Sequence, residues 1–245
     1  MKTEIQEIFS SIQGEGIYVG VRQIFLRFAG CNLNCAYCDT EGTKSQGKDN
    51  FRVEVQPGKG IFVFYPNPVS PEELLSIIRQ LRPEIHHSLS LTGGEPLVHE
   101  EFLLDFLPQF HRMCPIFLET NGTMPDALQK LLPFIDIVSM DIKLPSSTGK
   151  ALWQNHEEFL RVAHAKDIYV KTVLTKDTTW EELDQVIRIM ERVDRSIPLV
   201  LQPVTPIGGV QEMPIEEIIR VQDYCSAVLK NVRVIPQTHK ILNQL

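Results

Sequence analysis

The chain has 245 residues, of which 43% are hydrophobic and 22% are charged. This composition is typical of a globular protein with a buried core, and the length allows one large domain or two small ones. The net charge of -7 at pH 7, without any Lys/Arg-rich block, argues against a nucleic-acid-binding protein. We expect a single domain over 1–245 that acts on a small molecule.

The N-terminal segment "MKTEIQEIFSS" carries Glu4 and Glu7 where a signal peptide would need a long apolar run. No apolar stretch in the sequence approaches the roughly 20 residues of a membrane span. These features predict a cytoplasmic protein with no membrane partner. In that compartment, clustered cysteines are more often metal ligands or redox groups than disulfides.

Short apolar runs rich in β-branched residues alternate with amphipathic stretches along the chain. Strands are predicted at 23–29, 88–92, 115–120, 136–142, 168–175, 198–204 and 232–236. Helices are predicted at 70–81, 100–110, 156–165, 180–193 and 214–229. A hairpin is predicted at 51–66, inside an insertion over 41–68 that follows the cysteine-rich loop.

The alternation predicts an α/β fold, specifically a partial (β/α) TIM-like barrel of about six to seven parallel strands with an inserted hairpin. Polar, glycine-rich and cysteine-rich segments follow the predicted strands: "GCNLNCAYCDT", "GGEP", "NG", "DIK", "QP" and "QTH". Parallel α/β proteins build their sites at these carboxyl ends of strands, so we expect the functional site there.

Three of the five cysteines, Cys31, Cys35 and Cys38, lie within eight residues. A 4Fe-4S cluster needs one ligand per iron, so three thiolates leave one iron open to a small molecule. A structural zinc site needs four protein ligands. Cys114 and Cys225 lie in apolar surroundings and are expected to be buried thiols. The alternative zinc site would therefore be completed by His99 or His239.

The pattern C-x3-C-x2-C after the first strand, with Tyr37 before the last cysteine, resembles the signature of the radical S-adenosylmethionine (SAM) superfamily. The resemblance implies that the cysteines hold a 4Fe-4S cluster whose open iron binds the amino and carboxylate groups of SAM. The reduced cluster then cleaves SAM to a 5'-deoxyadenosyl radical. A flavodoxin- or ferredoxin-type electron donor is implied as a partner.

Two later segments, "TGGEP" (92–96) and "SMDIKLPSS" (139–147), are similar to further motifs of this superfamily. The glycines would let the backbone approach the SAM amino group, Glu95 would add a charged contact, and Lys143 would bind the SAM carboxylate. From the residues alone, a strand-to-helix turn and a solvated lysine remain open. The SAM-binding residues that the resemblance implies are Tyr37, Cys38, Asp39, Gly94, Glu95, Asp141 and Lys143.

The segment "IFSSIQGEGIYVGVRQIFLRFAGCNLNCAYCDT" (8–40) resembles the start of the 7-carboxy-7-deazaguanine synthase family, and "LQP" (201–203) and "RVIPQTHK" (233–240) resemble later parts of it. The resemblance implies that Arg27 pairs with a substrate carboxylate and that Thr40 binds Mg2+. From the residues alone, a strand-end salt bridge at Arg27 and a helix cap at Thr40 remain open. The substrate-binding residues that it implies are Ile12, Gln13, Gly14, Glu15, Arg27, Thr92 and Gln202.

The implied activity is that of a carbon–nitrogen lyase. It contracts the ring of 6-carboxy-5,6,7,8-tetrahydropterin to 7-carboxy-7-deazaguanine, with loss of ammonia and regeneration of SAM, in queuosine and 7-deazapurine biosynthesis. The resemblance also implies a homodimer. Two alternatives are a glycyl-radical enzyme activase and a zinc-stabilised binding module. The first would need a protein substrate, and the second would be colourless when purified.

Overall fold

The computed structural model describes residues 1–38 and 49–242. The strands of this part are β1 (Ile5–Ile12), β2 (Arg22–Phe28), β3 (Asn50–Gln56), β4 (Ile61–Pro66), β5 (Ser88–Gly93), β6 (Ile116–Thr120), β7 (Ile137–Asp141), β8 (Asp167–Leu174), β9 (Leu199–Pro203) and β10 (Val232–Val234). The helices are α1 (Pro71–Arg79), α2 (Glu100–Phe110), α3 (Pro125–Leu131), α4 (Pro145–Thr148), α5 (Trp153–Ala163), α6 (Trp180–Val193), α7 (Ile215–Ser226) and α8 (Thr238–Ile241).

In the described part of the chain, all ten strands form one sheet in the order β10-β9-β8-β7-β6-β5-β2-β1-β3-β4. Neighbours from β2 through β5 to β10 pair in parallel, which gives seven parallel strands. No pairing between the described residues closes the sheet, because it ends at β10 and β4. The predicted partial barrel of parallel strands is therefore confirmed.

Successive side chains of each parallel strand point to opposite faces of the sheet, so the two faces carry different sets of residues. In β5, Leu89 and Leu91 belong to the main apolar core with the helices, whereas Ser90 and Thr92 lie on the opposite face. Full burial of each leucine contributes about 1.5–3 kcal/mol to stability. The second set, on the inner face of the curved sheet, is the one that can carry polar chemistry.

The predicted hairpin is present as β3 and β4, which pair antiparallel. β3 pairs in parallel with β1, so the hairpin extends the sheet beyond β1. Phe51 is fully buried and stacks on Tyr65 with ring centroids 5.7 Å apart, which anchors the hairpin to the core. Residues 41–48 of the predicted insertion lie outside the described residues, and both the insertion and the single-domain division stay predictions.

The helices predicted at 100–110 and 180–193 are confirmed at the same residues as α2 and α6. Four of the named elements were not predicted: β1, α3, α4 and α8. β1 buries the polar side chains of Glu7, Ser10 and Ser11 beside apolar ones, so it lacks the alternation by which a strand is recognised. Among the described residues, no helix is both long and apolar enough to span a membrane.

Candidate active site

A cavity of about 790 Å³ opens at the carboxyl ends of the parallel strands. Fourteen of the predicted site residues line it: Ile12, Gln13, Gly14, Glu15, Arg27, Cys31, Cys35, Tyr37, Cys38, Thr92, Gly94, Asp141, Lys143 and Gln202. Strands and loops that are far apart in sequence therefore bring the predicted cofactor and substrate residues to one place. Asp39 and Thr40 lie outside the described residues.

The cysteine loop presents Cys31, Cys35 and Cys38 to this cavity, all three half-buried. Burial raises the pKa of the Cys31 and Cys35 thiols, so binding of iron at these sulfurs must release protons. The Leu33 N–H donates to Cys31 Sγ over 3.4 Å. Hydrogen bonds from backbone N–H groups to the sulfurs of an iron–sulfur cluster are among the features that set the reduction potential of the cluster. Three thiols facing one cavity are the donor set that a 4Fe-4S cluster with one open iron needs.

Side-chain amides brace the cysteine loop against the end of β6. Asn121 Nδ2 donates to Asn32 Oδ1 over 2.8 Å, and Asn32 Nδ2 donates to Thr123 Oγ1 over 2.9 Å. The Ala36 N–H also donates to the Ser147 carbonyl over 2.9 Å, at α4. These bonds hold the loop at two points, so the thiols are positioned by the barrel rather than by the loop alone.

The two glycines of "TGGEP" pack the end of β5 against the cysteine loop. A Cβ added at Gly94 would lie 1.8 Å from the Gly30 carbonyl oxygen, and Gly93 has a φ of +124°. The Glu95 N–H donates to that same Gly30 carbonyl over 3.0 Å. The close approach that requires glycine is therefore made to the backbone of the loop, while Gly94 also lines the cavity.

Glu95 lies behind the cavity wall and is completely buried. Its carboxylate accepts hydrogen bonds from the Leu97 N–H, Thr120 Oγ1 and the Asn121 N–H at 3.1, 2.8 and 2.7 Å. Burial raises the pKa of Glu95 to about 7, against the opposing effect of these donors. The direct contact with SAM predicted for Glu95 stays a prediction. The hydrogen-bond partners of its carboxylate lie in the segment after β5 and at the end of β6.

Glu95 is expected to give the protein a pH-dependent stability that Glu95→Gln removes. Because folding raises this pKa from 4.5 to about 7, the folded state favours the protonated form, and stability is lost as pH rises through that window. Relative to wild type, Glu95→Gln should gain about 3 kcal/mol of unfolding free energy between about pH 4.5 and pH 8. Urea unfolding across pH measures this difference, with the exposed Glu101→Gln as control. Parallel curves for wild type and Glu95→Gln would contradict the expectation.

Four charged side chains form a connected row across the cavity. Lys143 Nζ lies 2.6 Å from Asp141 Oδ2, and Lys171 Nζ lies 2.5 Å from Glu15 Oε2 and 3.5 Å from Asp141 Oδ2. Burial by itself raises the pKa of Glu15, but Lys171 and a hydrogen bond from Gln237 lower it to about 2. Burial opposes the charge of both lysines, yet the neighbouring carboxylates hold their pKa values above the usual range.

Asp141 Oδ1 and Gln202 Oε1 are buried acceptors in the cavity wall that have no hydrogen-bond partner among the described residues. A buried acceptor without a donor costs about 1–3 kcal/mol, and native structures contain only a few such atoms. Their presence beside the cavity is typical of a binding site whose ligand supplies the missing donors.

Arg27 lies on the hairpin side of the cavity. Its Nε pairs with Glu7 Oε1 at 2.9 Å, and Arg52 of β3 binds Glu7 Oε2 at 2.6 Å. The guanidinium lies 5.7 Å from the ring centroid of Phe9, another cavity residue. Arg27 therefore has the strand-end salt bridge that the sequence left open and also lines the cavity, where two arginines share one carboxylate.

Glu119, near the end of β6, was not predicted and lines the same cavity. Its carboxylate accepts from Gln13 Nε2 at 2.7 Å, Ser90 Oγ at 3.2 Å and Thr92 Oγ1 at 2.7 Å. All of these donors are uncharged. A carboxylate held by neutral donors keeps its negative charge available for a ligand with N–H groups.

The C-terminal segment closes the cavity over the "QGEG" motif. The Thr238 N–H donates to the Gly14 carbonyl over 2.8 Å, and Gln237 Nε2 donates to Glu15 Oε1 over 2.7 Å. A Cβ at Gly14 would lie 2.3 Å from the His239 ring, so only glycine fits there. The resemblance of both segments to one family thus corresponds to a physical contact between them.

The remaining candidates for a zinc site lie apart from the cysteine loop or have other partners. Both ring nitrogens of His99 are hydrogen-bonded, to Thr3 Oγ1 at 2.7 Å and to the Ala29 carbonyl at 2.6 Å. Cys114 and Cys225 are buried in the apolar core, as predicted, and burial raises their pKa values to about 11 and about 12. His239 lines the cavity beside Gly14.

Comparisons with protein families, with curated proteins and with solved structures agree with one another. A family model for the radical SAM superfamily matches residues 26–190. A 7-carboxy-7-deazaguanine synthase of Geobacter sulfurreducens is 40% identical over 247 residues, which cover 99% of this chain and 98% of that protein. One from Methanocaldococcus jannaschii is 34% identical over 252 residues, which cover 98% and 100%. The crystal structure of QueE from Escherichia coli has a TM-score of 0.65 at 24% identity, covering 98% of this chain and 95% of that one, and shows the same fold.

The match runs through the whole chain and not only through the cysteine motif. Identity of 40% and 34% over nearly the full length of 7-carboxy-7-deazaguanine synthases favours that family over a zinc-stabilised module or a glycyl-radical activase. The chain belongs to the radical SAM superfamily and, within it, to the 7-carboxy-7-deazaguanine synthase family.

Proposed function

We propose that the protein converts 6-carboxy-5,6,7,8-tetrahydropterin to 7-carboxy-7-deazaguanine and ammonia. Product and ammonia together have the composition of the substrate, so the reaction needs no net oxidant. The proposal depends on one observation: a single cavity is lined by the three thiols of the cysteine loop, by Arg27 at one side and by the carboxylate of Glu119 at another. A carboxypterin has the matching groups, an anionic carboxylate and an N–H-rich pyrimidine edge.

The cofactor side of the site is formed by the cysteine loop and the end of β7. Cys31, Cys35 and Cys38 would hold the 4Fe-4S cluster, and Lys143 would bind the SAM carboxylate. When bound, the cluster and SAM supply hydrogen-atom abstraction at C6 of the substrate. Gly94 would keep its backbone close to the SAM amino group, and the unpartnered Asp141 Oδ1 would accept from a SAM donor.

The substrate side is formed by β1, β2, β6 and the C-terminal segment. Arg27 would pair with the substrate carboxylate, for which a planar guanidinium is well shaped. Glu119 would accept from the amino group and ring N–H of the pyrimidine edge, oriented by Gln13 and Thr92. Gln202 Oε1 and the carboxylate of Glu15 would each accept a further N–H of the substrate.

Shielding from water is supplied by apolar side chains and by the C-terminal segment. Phe9 and Phe25 stack in the cavity wall with ring centroids 5.0 Å apart. The segment around Thr238 covers Gly14 through its hydrogen bond. Excluding water strengthens the charged contacts and prevents side reactions of a radical.

Several parts of the proposal come from the family resemblance. Thr40 would contribute to a Mg2+ site that orients the substrate carboxylate, with the substrate supplying further oxygens. The protein would act as a cytoplasmic homodimer, reduced by a flavodoxin- or ferredoxin-type donor, on the way to queuosine or another 7-deazapurine.

The test is an anaerobic assay of the reconstituted wild-type protein with SAM, a reductant, Mg2+ and the carboxytetrahydropterin. Mass spectrometry should detect 7-carboxy-7-deazaguanine, and an ammonia assay should give an equal amount of ammonia. Omission of SAM, and separately of Mg2+, should abolish or strongly lower both. Formation of 5'-deoxyadenosine without 7-carboxy-7-deazaguanine would show that the substrate assignment is wrong.

A further inference from the structure

Lys171 of β8 lies between the two halves of the site and has not been given a role by the family motifs. It lines the cavity and is the third member of the row Lys143, Asp141, Lys171 and Glu15, whose charges alternate in sign. Its side chain is only 13% exposed. A buried lysine contacts carboxylates because an unpaired charge in such a place is costly.

The two contacts of Lys171 are unequal. Its Nζ is 2.5 Å from Glu15 on the substrate side and 3.5 Å from Asp141 on the cofactor side. Asp141 is satisfied chiefly by Lys143, at 2.6 Å from the same Oδ2 atom. In this arrangement Lys171 pairs mainly with Glu15, and a movement of its Nζ by about one ångström would bring it into close contact with Asp141.

Each ligand would change how strongly the two carboxylates interact with Lys171. A SAM carboxylate that engages Lys143 would weaken its pair with Asp141 Oδ2, so that oxygen would then depend more on Lys171, while the SAM donor would bind the other oxygen, Oδ1. A substrate whose N–H groups donate to Glu15 satisfies that carboxylate, so Glu15 needs Lys171 less. Binding of either ligand therefore lowers the electrostatic cost of binding the other.

We propose that Lys171 is a positioning residue that shifts between Glu15 and Asp141 and thereby makes the binding of SAM and substrate positively cooperative. This inference rests on the proposed function, because it takes the substrate to lie against Glu15 and SAM against Lys143. Cooperative binding would favour placing SAM and substrate together before an electron arrives.

The first experiment measures SAM affinity by calorimetry on the protein with its cluster in the oxidised state, where no reductant is present and no turnover occurs. In wild type, saturating carboxytetrahydropterin should tighten SAM binding by about 5- to 150-fold, the usual range of such couplings. In Lys171→Met this ratio should fall to about one. The control Lys130→Met removes a lysine paired with Glu100 on the surface at 2.6 Å and should keep the wild-type ratio.

The second experiment uses Glu15→Gln and needs no substrate. Loss of the Glu15 charge should release Lys171 to Asp141, so SAM should bind more tightly than to substrate-free wild type. A damaged site would bind SAM more weakly, so the direction of change separates the two explanations. This arm remains informative if Lys171→Met does not fold or load its cluster.

If wild type binds the carboxytetrahydropterin, a wild-type ratio of one, or a Lys171→Met ratio equal to wild type, would overturn the inference. So would weaker SAM binding by Glu15→Gln. If wild type does not bind the carboxytetrahydropterin at all, the proposed substrate is wrong, while tighter SAM binding by Glu15→Gln would still support the Lys171 shift. The two failures are therefore distinguishable.

Discussion

Cys35→Ala is expected to reduce formation of 7-carboxy-7-deazaguanine to background and to lower the iron content of the anaerobically reconstituted protein. With three thiols in the cavity, loss of one leaves two protein ligands for a cluster that needs one ligand per iron. The cluster should therefore fail to assemble or be readily lost. Iron analysis, visible absorption and the product assay measure the effect.

The matched control for Cys35→Ala is Cys114→Ala. Cys114 is a buried thiol of the apolar core and is not among the cavity residues. Removal of its sulfur should cost at most a few kcal/mol of stability and leave iron content and activity close to wild type. Equal iron loss in both variants would mean that the cysteine loop is not the cluster site.

Arg27→Met is expected to lower kcat/KM by about 10²- to 10³-fold. The substitution keeps an apolar stem of similar length but removes the cation that would pair with the substrate carboxylate. Truncation of one partner of a buried charge pair costs about 2–5 kcal/mol, which corresponds to a factor of about 30 to 5000 and brackets this range. Single-turnover assays at varied substrate concentration separate weaker binding from slower chemistry, and Arg27→Lys should recover part of the loss.

Arg52→Met is the control for an indirect effect through Glu7. Arg27 and Arg52 both pair with this carboxylate, at 2.9 and 2.6 Å, but Arg52 is 41% exposed and Arg27 is 19% exposed. If Arg27 acts only by holding Glu7, the two variants should lose similar activity. If Arg27 binds substrate, its loss should be larger by at least tenfold, and similar small losses would contradict that role.

The sequence predicted the parallel strands and most helices because their apolar residues recur with clear periods. The α6 helix, for example, has its buried residues spaced on one face and was located at its observed ends. β1 was missed because one of its faces carries polar groups into the site, among them Glu7. A strand that builds an active site loses the pattern by which strands are recognised.

Glu119 and Lys171 were missed for a different reason. Both were inside correctly predicted strands, β6 and β8, and each is a charged residue in a mostly apolar run. A charge within a buried strand must have a partner, and this argument could have identified both residues from the sequence. Which partners they have depends on long-range contacts, such as the Lys171–Glu15 pair across 156 positions of sequence, and no local pattern predicts these.

The most direct test of the central claim is the fate of the hydrogen at C6 of the substrate. The wild-type protein would be given carboxytetrahydropterin labelled with deuterium at C6, and the recovered SAM would be analysed by mass spectrometry. Our account predicts 7-carboxy-7-deazaguanine together with deuterium in the recovered SAM, because SAM, when bound, would supply hydrogen-atom abstraction at C6 and would be regenerated. Formation of 7-carboxy-7-deazaguanine with no deuterium in SAM or in 5'-deoxyadenosine would contradict it.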